Sequence, residues 1–166
     1  SSELNEVLTC WQGETGAVYN IHCATINLSN LNVSEEIVVY ENPGDSQKNP
    51  SVSATGHSTY LVGWEDERNG NYSDLYIQEI RFGQTLMESG GKNLCNSSFN
   101  QYNLQFSQIE TSSDEETFLI YWEDDRSSGK EFVTTIFSQY AKIAGCITPG
   151  ALNYYGLFTV LDFDRV

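Results

Sequence analysis

The stretch "LVGWEDERNGNYSDLYIQEI", residues 61 to 80, places an acidic cluster led by a tryptophan between two runs rich in β-branched and aromatic residues. Such runs, separated by Gly, Asn, Asp and Ser, are typical of two strands joined by a turn. The cluster "WEDER" contains Glu65, Asp66 and Arg68, which either carry out chemistry or hold the turn. Whether the cluster recurs elsewhere in the chain bears on that choice.

Similar short runs occur along the whole chain. They are "EVLTCW", "EEIVVY", "STYLVGW", "ETFLIYW", "EFVTTIFSQY" and "GLFTVLDF", each bounded by turn-forming residues. No segment carries an apolar stripe of helical period over three or more turns. The sequence therefore predicts an all-β fold.

The three tryptophans mark an internal repeat. Around Trp11, Trp64 and Trp122 the chain has a strand ending at Trp, a polar turn with Gly, and a return strand, at spacings of about 53 and 58 residues. "NPSVSAT" and "GGKNLC" add a leading and a trailing strand to the second copy. Four strands are the content of one propeller blade. We expect one all-β domain, 1–166, with repeats at about 1–42, 43–98 and 99–150 and a terminal strand at 151–166.

The second copy resembles the β-propeller-like repeats of type W-x-D-x-R-x-G-x-x-D-I-Y-x-Q in secreted and cell-surface proteins of bacteria and some microbial eukaryotes, which are distantly similar to TolB-type blades. The resemblance implies about three incomplete propeller-like blades of four-stranded antiparallel sheets, with a terminal extra strand, in an extracellular setting. It does not fix a function. The matching residues are Trp64, Asp66, Arg68, Gly70, Asp74, Leu75, Tyr76, Gln78 and Cys95 in the second copy, Trp122, Asp124, Arg126, Gly129 and Gln139 in the third, and Trp11 and Gly16 in the first.

The recurrence of "WEDER" as "WEDDR" favours a structural turn motif. An Asp at a strand end accepts hydrogen bonds from turn N–H groups, and an Arg two residues later bridges to it. The large tryptophans are then expected to pack between neighbouring blades. Strand alternation predicts that Glu65 and Glu123 face outward. The predicted motif residues are Trp64, Asp66, Arg68, Gly70, Asp74, Trp122, Asp124 and Arg126.

Two chemical alternatives compete with the turn. Paired carboxylates and arginines are typical of glycosidase- or sialidase-like sites, but here the carboxylates recur with the repeat. Asp66, Asn69, Asn71 and Asp74 offer hard oxygen ligands for calcium, although Arg68 interrupts the ligand spacing. We therefore expect no catalytic residue, no cofactor and no metal site in this stretch, while cation binding elsewhere on so acidic a chain stays open.

The cysteines indicate an oxidising compartment. Their number is even, and none forms a CxxC pair, which favours disulfides over a zinc site. Cys10 and Cys23 flank the first hairpin and are expected to form a cross-strand bridge, which leaves Cys95 with Cys146 among three possible connectivities. The Asn-x-Ser triplets at Asn27, Asn32, Asn71 and Asn96 are candidate glycosylation sites.

Charge and repeat number limit the function. A net charge of −15 opposes binding to nucleic acid or anionic membranes, and no apolar run has the length of a membrane helix. Three repeats are too few to close a propeller, so the sheet ends need partners. We expect a non-catalytic extracellular structural, assembly or adhesion protein that self-associates or binds other surface proteins, such as a filament or surface-layer subunit. The alternatives are a carbohydrate- or protein-binding segment of a larger secreted propeller and, less favoured, a hydrolase fragment.

Overall fold

The computed structural model describes residues 5–55, 59–70, 72–95, 98–111, 115–125, 135–144 and 157–161. The regular elements in this part of the chain are twelve strands. They are β1 (Glu6–Thr15), β2 (Val18–Asn27), β3 (Ile37–Tyr40), β4 (Gln47–Thr55), β5 (Thr59–Asp66), β6 (Asp74–Arg81), β7 (Gln84–Thr85), β8 (Lys92–Cys95), β9 (Gln101–Thr111), β10 (Glu115–Asp124), β11 (Thr135–Ala144) and β12 (Leu157–Leu161).

The strands form three antiparallel sheets. The first sheet has the order β1-β2-β3, and the third has the order β12-β11-β10-β9. The second sheet has the order β4-β5-β6, with β7 and β8 both paired to β6. The predicted all-β, antiparallel fold is therefore confirmed. The described residues do not close into a barrel or a propeller.

The strand registers make the three tryptophan hairpins equivalent. Trp11, Trp64 and Trp122 lie opposite His22, Tyr76 and Phe137 in the register, so an aromatic residue occupies the paired position on each return strand. The prediction that each strand ends at its tryptophan is wrong. Ladder pairing continues two residues further in the second and third hairpins, to Asp66↔Asp74 and Asp124↔Thr135, and four residues further in the first, to Thr15↔Val18. Strands β1, β5 and β10 thus correspond, as do β2, β6 and β11.

The sheets differ in whether they have an opening strand, by which we mean a strand that precedes the tryptophan hairpin in the chain and pairs with its first strand. β4 pairs with β5 in the second sheet, and β9 pairs with β10 in the third. Among the described residues the first sheet has no counterpart of these strands, and β1 is its edge. The first sheet is therefore the only one of the three in which the described hairpin begins without an opening strand.

Two apolar clusters join consecutive sheets. In the first, Tyr60, Val62 and Trp64 of β5 pack against residues of the first sheet. In the second, Leu61 of β5 packs with Leu104 of β9 and with Trp122 of β10. Because alternate β5 side chains enter different clusters, the second sheet is covered on both faces. The first-sheet members of the first cluster are Leu8, Ile21, Cys23, Ile37 and Val39.

Gly63 sets the distance between the second and third sheets. A Cβ atom at this position would lie 1.9 Å from Cδ2 of Leu104 and 3.0 Å from Cζ of Phe106. Both side chains belong to the opening strand of the third sheet. The absence of a side chain at Gly63 is therefore what lets β9 pack directly on β5.

Candidate functional site

Asp66 is the centre of the predicted turn motif. It is the last residue of β5, and its side chain is fully buried. Its Oδ1 accepts hydrogen bonds from the backbone N–H of Arg68 at 2.9 Å and from Arg68 Nε at 2.8 Å. Its Oδ2 accepts from Arg68 Nη2 and from Trp64 Nε1, the latter at 2.8 Å. Both carboxylate oxygens are thus used within the turn.

Arg68 connects the turn to two other parts of the fold. Its guanidinium lies between the rings of Tyr40 and Tyr76, at 4.0 and 3.8 Å from their centroids. Its Nη2 also donates to the carbonyl of Gly90 at 3.0 Å. Burial disfavours the charge of Arg68, but the hydrogen bonds and the charge of Asp66 outweigh burial, and the net effect raises the arginine's pKa. Because Tyr40 belongs to β3, this stacking joins the second sheet to the first.

Two glycines make room for the cluster. Gly90 and Gly91 have φ angles of 88° and 73°, a region that side chains rarely adopt. A Cβ at Gly91 would lie 2.6 Å from Cη2 of Trp64, and one at Gly90 would lie 2.8 Å from Nη1 of Arg68. The segment before β8 therefore needs both the conformation and the small volume of glycine.

The rest of the turn is also internally bonded. Asn69 Nδ2 donates to Oδ2 of Asp74 at 2.7 Å and to the Tyr76 hydroxyl at 3.0 Å. Gly70, with φ of 119°, donates its N–H to the carbonyl of Glu67 at 3.2 Å. Of the four calcium-ligand candidates, Asp66 and Asp74 therefore contact protein donors, and Asn71 lies outside the described residues. Within the described chain, no group of three or more His, Cys, Asp or Glu is arranged to hold a metal ion.

Glu65 is not at the surface, and the prediction that it faces outward is wrong. Its exposed fraction is 8%, because the face of β5 that carries it is covered by β9. Its Oε2 accepts from Asn49 Nδ2 at 2.9 Å, and its Oε1 accepts from the backbone N–H of Asn103 at 3.0 Å. Burial raises the pKa of Glu65, and these two hydrogen bonds partly offset the rise.

The contacts of Glu65 recur along the chain and form an inter-sheet ladder. The residues after the three tryptophans, Gln12, Glu65 and Glu123, are its acceptors. Gln12 Oε1 accepts from the backbone N–H of Asn49 at 3.1 Å, as Glu65 does from Asn103. Glu123 Oε1 accepts from Asn103 Nδ2 at 2.8 Å, as Glu65 does from Asn49. Each asparagine therefore bonds a side chain in its own sheet and one in the preceding sheet.

The three copies differ most in the environment of the tryptophan. Trp64 and Trp122 are 0% and 3% exposed, whereas Trp11 is 39% exposed and stacks on His22 at a centroid distance of 6.0 Å. Asp124 is fully buried, like Asp66. Arg126 lies outside the described residues. The copies are thus alike in backbone register but not in how completely they are covered.

The first hairpin carries the expected cross-strand bridge. Cys10 and Cys23 lie opposite each other in the β1–β2 register and form a disulfide. Cys95 lies in β8 and packs against the second apolar cluster. Cys146 lies outside the described residues, so its pairing with Cys95 stays a prediction.

The candidate glycosylation sites have different environments. Asn27 and Asn32 are both exposed, and Oδ1 of Asn27 accepts from the backbone N–H groups of Ser29 and Asn30. Asn71 and Asn96 lie outside the described residues. Of these two described sites, Asn27 therefore uses its side-chain oxygen within a turn, whereas these bonds do not involve the side chain of Asn32.

The sequence interpretation missed the asparagines of the ladder. Asn49 and Asn103 both follow a Gln by two residues at the start of an opening strand, so the repeated "QKN" and "QYN" was the available signal. It also missed Tyr40 and Gly90, which reach Arg68 from distant parts of the chain. In comparisons with known proteins, no family model and no curated protein sequence matches this chain.

Proposed function

We propose that this chain is a non-catalytic extracellular repeat scaffold that acts in surface structure, assembly or adhesion. Its three sheets are interpreted as propeller-like blades. The all-β fold and the Cys10–Cys23 disulfide are compatible with an extracellular setting. The described residues include no helix long and apolar enough to cross a membrane. The single observation that carries the proposal is the repeated stacking of sheets, in which Trp64 packs against the first sheet and Trp122 packs against the second.

The polar groups of the motif support a structural role. A catalytic acid or base needs an oxygen that reaches the substrate. Both oxygens of Asp66 bond within the turn, and both oxygens of Glu65 bond within the inter-sheet ladder. The carboxylates of Asp66 and Glu65 are therefore engaged in joining strands and sheets, which makes a hydrolase the least supported of the three candidate functions.

The first sheet presents a surface suited to assembly. Its outer face carries Val7, Trp11 and Val38, which are 41%, 39% and 44% exposed. In the second and third sheets the equivalent tryptophan faces are covered by a neighbouring sheet. A second copy that places its third sheet on this face would repeat the existing stacking. Such a head-to-tail contact generates a ring if it closes and a filament if it does not.

Light scattering of the full chain over a concentration series tests the assembly. We expect particles larger than the monomer, and we expect Trp11→Lys to shift them toward monomer because it puts a charge on the stacking face. Leu86→Lys is the matched control, since Leu86 is also exposed but lies beside β7. A chain that stays monomeric at every concentration, or a Leu86→Lys variant that dissociates equally, would contradict the proposal.

A second candidate function is carbohydrate or protein binding by a segment of a larger secreted propeller. Tyr72 and Phe99 are 45% and 44% exposed, and their rings lie 6.4 Å apart. Paired exposed aromatic rings offer apolar contact area to a ligand. Glycan-array binding that disappears in Tyr72→Ala and Phe99→Ala, with the thermal unfolding midpoint unchanged, would favour this function over assembly.

A further inference from the structure

We propose that the outer edge of β1, which pairs only with β2 in the part of the chain that the structure describes, binds an extended peptide segment that carries a Gln-x-Asn motif and comes from outside these 166 residues. The inference rests on the proposed repeat scaffold and adds to it the identity of one partner surface. It starts from the opening strands β4 and β9, which the first sheet lacks among the described residues. An edge strand with unpaired backbone groups is a template for strand addition.

The two opening strands share one local structure. Gln47 and Gln101 are fully buried and lie opposite the aspartates Asp66 and Asp124 that end the neighbouring strand. The side-chain amide of each glutamine donates to the carbonyl two residues earlier in the chain. The motif is therefore built the same way in both sheets.

The asparagine of each motif has a left-handed backbone. The φ angles of Asn49 and Asn103 are 52° and 55°, a region in which Asn is tolerated better than most residues. This conformation coincides with a register shift in β4 and β9, and each side chain then bonds the glutamate of the adjacent strand. Gln-x-Asn is thus a compact signature for a strand that pairs with a tryptophan hairpin.

Gln12 is the residue of the first sheet that the asparagine of a Gln-x-Asn segment is expected to bond. It occupies the place of Glu65 and Glu123, and it already accepts the inter-sheet bond from Asn49. Its side chain is exposed, whereas Glu65 at the equivalent position is buried. The difference follows from the absence of an opening strand beside β1 in the described residues.

The repeat also defines the register of the partner. β4 and β9 run antiparallel to their neighbours, with Gln opposite the residue two after the tryptophan. In the first sheet that residue is Gly13. The partner is therefore expected to run antiparallel to β1, with its Gln opposite Gly13 and its Asn beside Gln12.

The partner segment is not provided by the described packing of a second copy. The sequence contains Gln-x-Asn at two places, residues 47–49 and 101–103, and both are paired within their own sheets. Releasing β9 would remove Leu104 from the second apolar cluster, and releasing β4 would break its pairing with β5. We therefore assign the partner to a different polypeptide segment that also contains Gln-x-Asn. The sequence of β9 is used to represent this segment in the experiments.

A peptide with the sequence of residues 98–111, "SFNQYNLQFSQIET", is the probe. Titration of the fluorescent peptide into the full chain is expected to give saturable binding by anisotropy. A peptide with the substitutions Gln101→Ala and Asn103→Ala should bind at least tenfold more weakly. No saturable binding, or equal binding of both peptides, would overturn the proposal. Because only the peptide is changed, a folding defect of the protein cannot explain either result.

Gln12→Glu provides a gain-of-binding test. A carboxylate at this position can accept from both Asn49 and the peptide asparagine, as Glu65 does for its two donors, so the dissociation constant should fall several-fold. Gln84→Glu adds the same charge at an exposed position of β7 and should leave the constant unchanged. An unaltered constant in Gln12→Glu, or an equal change in Gln84→Glu, would contradict the assignment.

Hydrogen exchange locates the bound peptide. Protection of β1 amides supports the proposal, whereas protection confined to β10 would show exchange with the chain's own β9 and overturn it. This readout is independent of particle size. Binding at β1 by a strictly monomeric chain would refute the assembly and keep the edge site, whereas an assembled chain whose β1 amides gain no protection would refute the edge site and keep the assembly.

Discussion

The backbone N–H of Asn103 donates to Oε1 of Glu65 across 3.0 Å, and this bond joins the third sheet to the second. The same relationship joins the second sheet to the first, where Gln12 is the acceptor and Asn49 the donor. The residues after Trp11 and Trp64 are therefore inter-sheet acceptors. This role follows from the stacking of the sheets and not from the turn that each residue precedes.

Glu65→Ala is expected to lower the free energy of unfolding by about 1–3 kcal/mol, because it removes two partly buried hydrogen bonds, from the N–H of Asn103 and from Nδ2 of Asn49, at roughly 0.5–1.5 kcal/mol each. Glu65→Gln should lose less, since its Oε1 can accept this bond as Gln12 does from Asn49. Urea unfolding of the three proteins gives the comparison. Equal losses in both variants would show that the bond to Asn103 is not what stabilises this position.

Stability is expected to depend on pH through Glu65. Burial raises its pKa in the folded chain, so the folded state holds this proton more tightly than the unfolded state. As pH rises from the unfolded value, about 4.3, through the raised folded value, the contribution of Glu65 to stability decreases. Glu65→Gln should reduce the negative slope of stability against pH across that range, and Glu79, whose pKa burial also raises, should keep the remainder. An unchanged slope in Glu65→Gln would contradict the prediction.

Asp66→Ala is expected to lower the free energy of unfolding by about 3 kcal/mol or more, because it leaves the partly buried Arg68 and the indole N–H of Trp64 without their acceptor. The matched control is Glu67→Ala, which removes only the exposed ion pair with Lys48 and should cost about 1 kcal/mol or less. Chemical denaturation measures both. If Asp66→Ala kept full stability while it abolished a binding or catalytic activity, the structural interpretation of the turn would be wrong.

Gly63→Ala is expected to destabilise the chain by about 1–3 kcal/mol through overpacking, because the new methyl group would overlap Leu104. Gly44→Ala is the control, since its Cβ would meet only Asn42 Oδ1 at 3.6 Å. Thermal unfolding distinguishes the two. A Gly63→Ala protein as stable as the parent would show that β9 does not pack on β5 at this distance.

The sequence alone determined the local features of this fold. Alternating apolar residues and turn signals predicted the strands, and the recurring tryptophans aligned the hairpins in the register that the structure shows. The positions of Cys10 and Cys23 around one turn predicted their disulfide. These features were accessible because strand pairing within a hairpin depends on residues close together in the chain.

The tertiary structure alone decided which faces are covered and which polar groups meet. By strand alternation, Glu65 and Trp64 point to opposite faces of β5, as the structure shows. The prediction that Glu65 is exposed is wrong because β9, from the next repeat, covers its face. Likewise, Tyr40 reaches Arg68 only when the first two sheets stack. The two-residue period of a strand predicts which side chains share a face. It carries no information about what packs on that face, since this depends on contacts between residues far apart in the sequence.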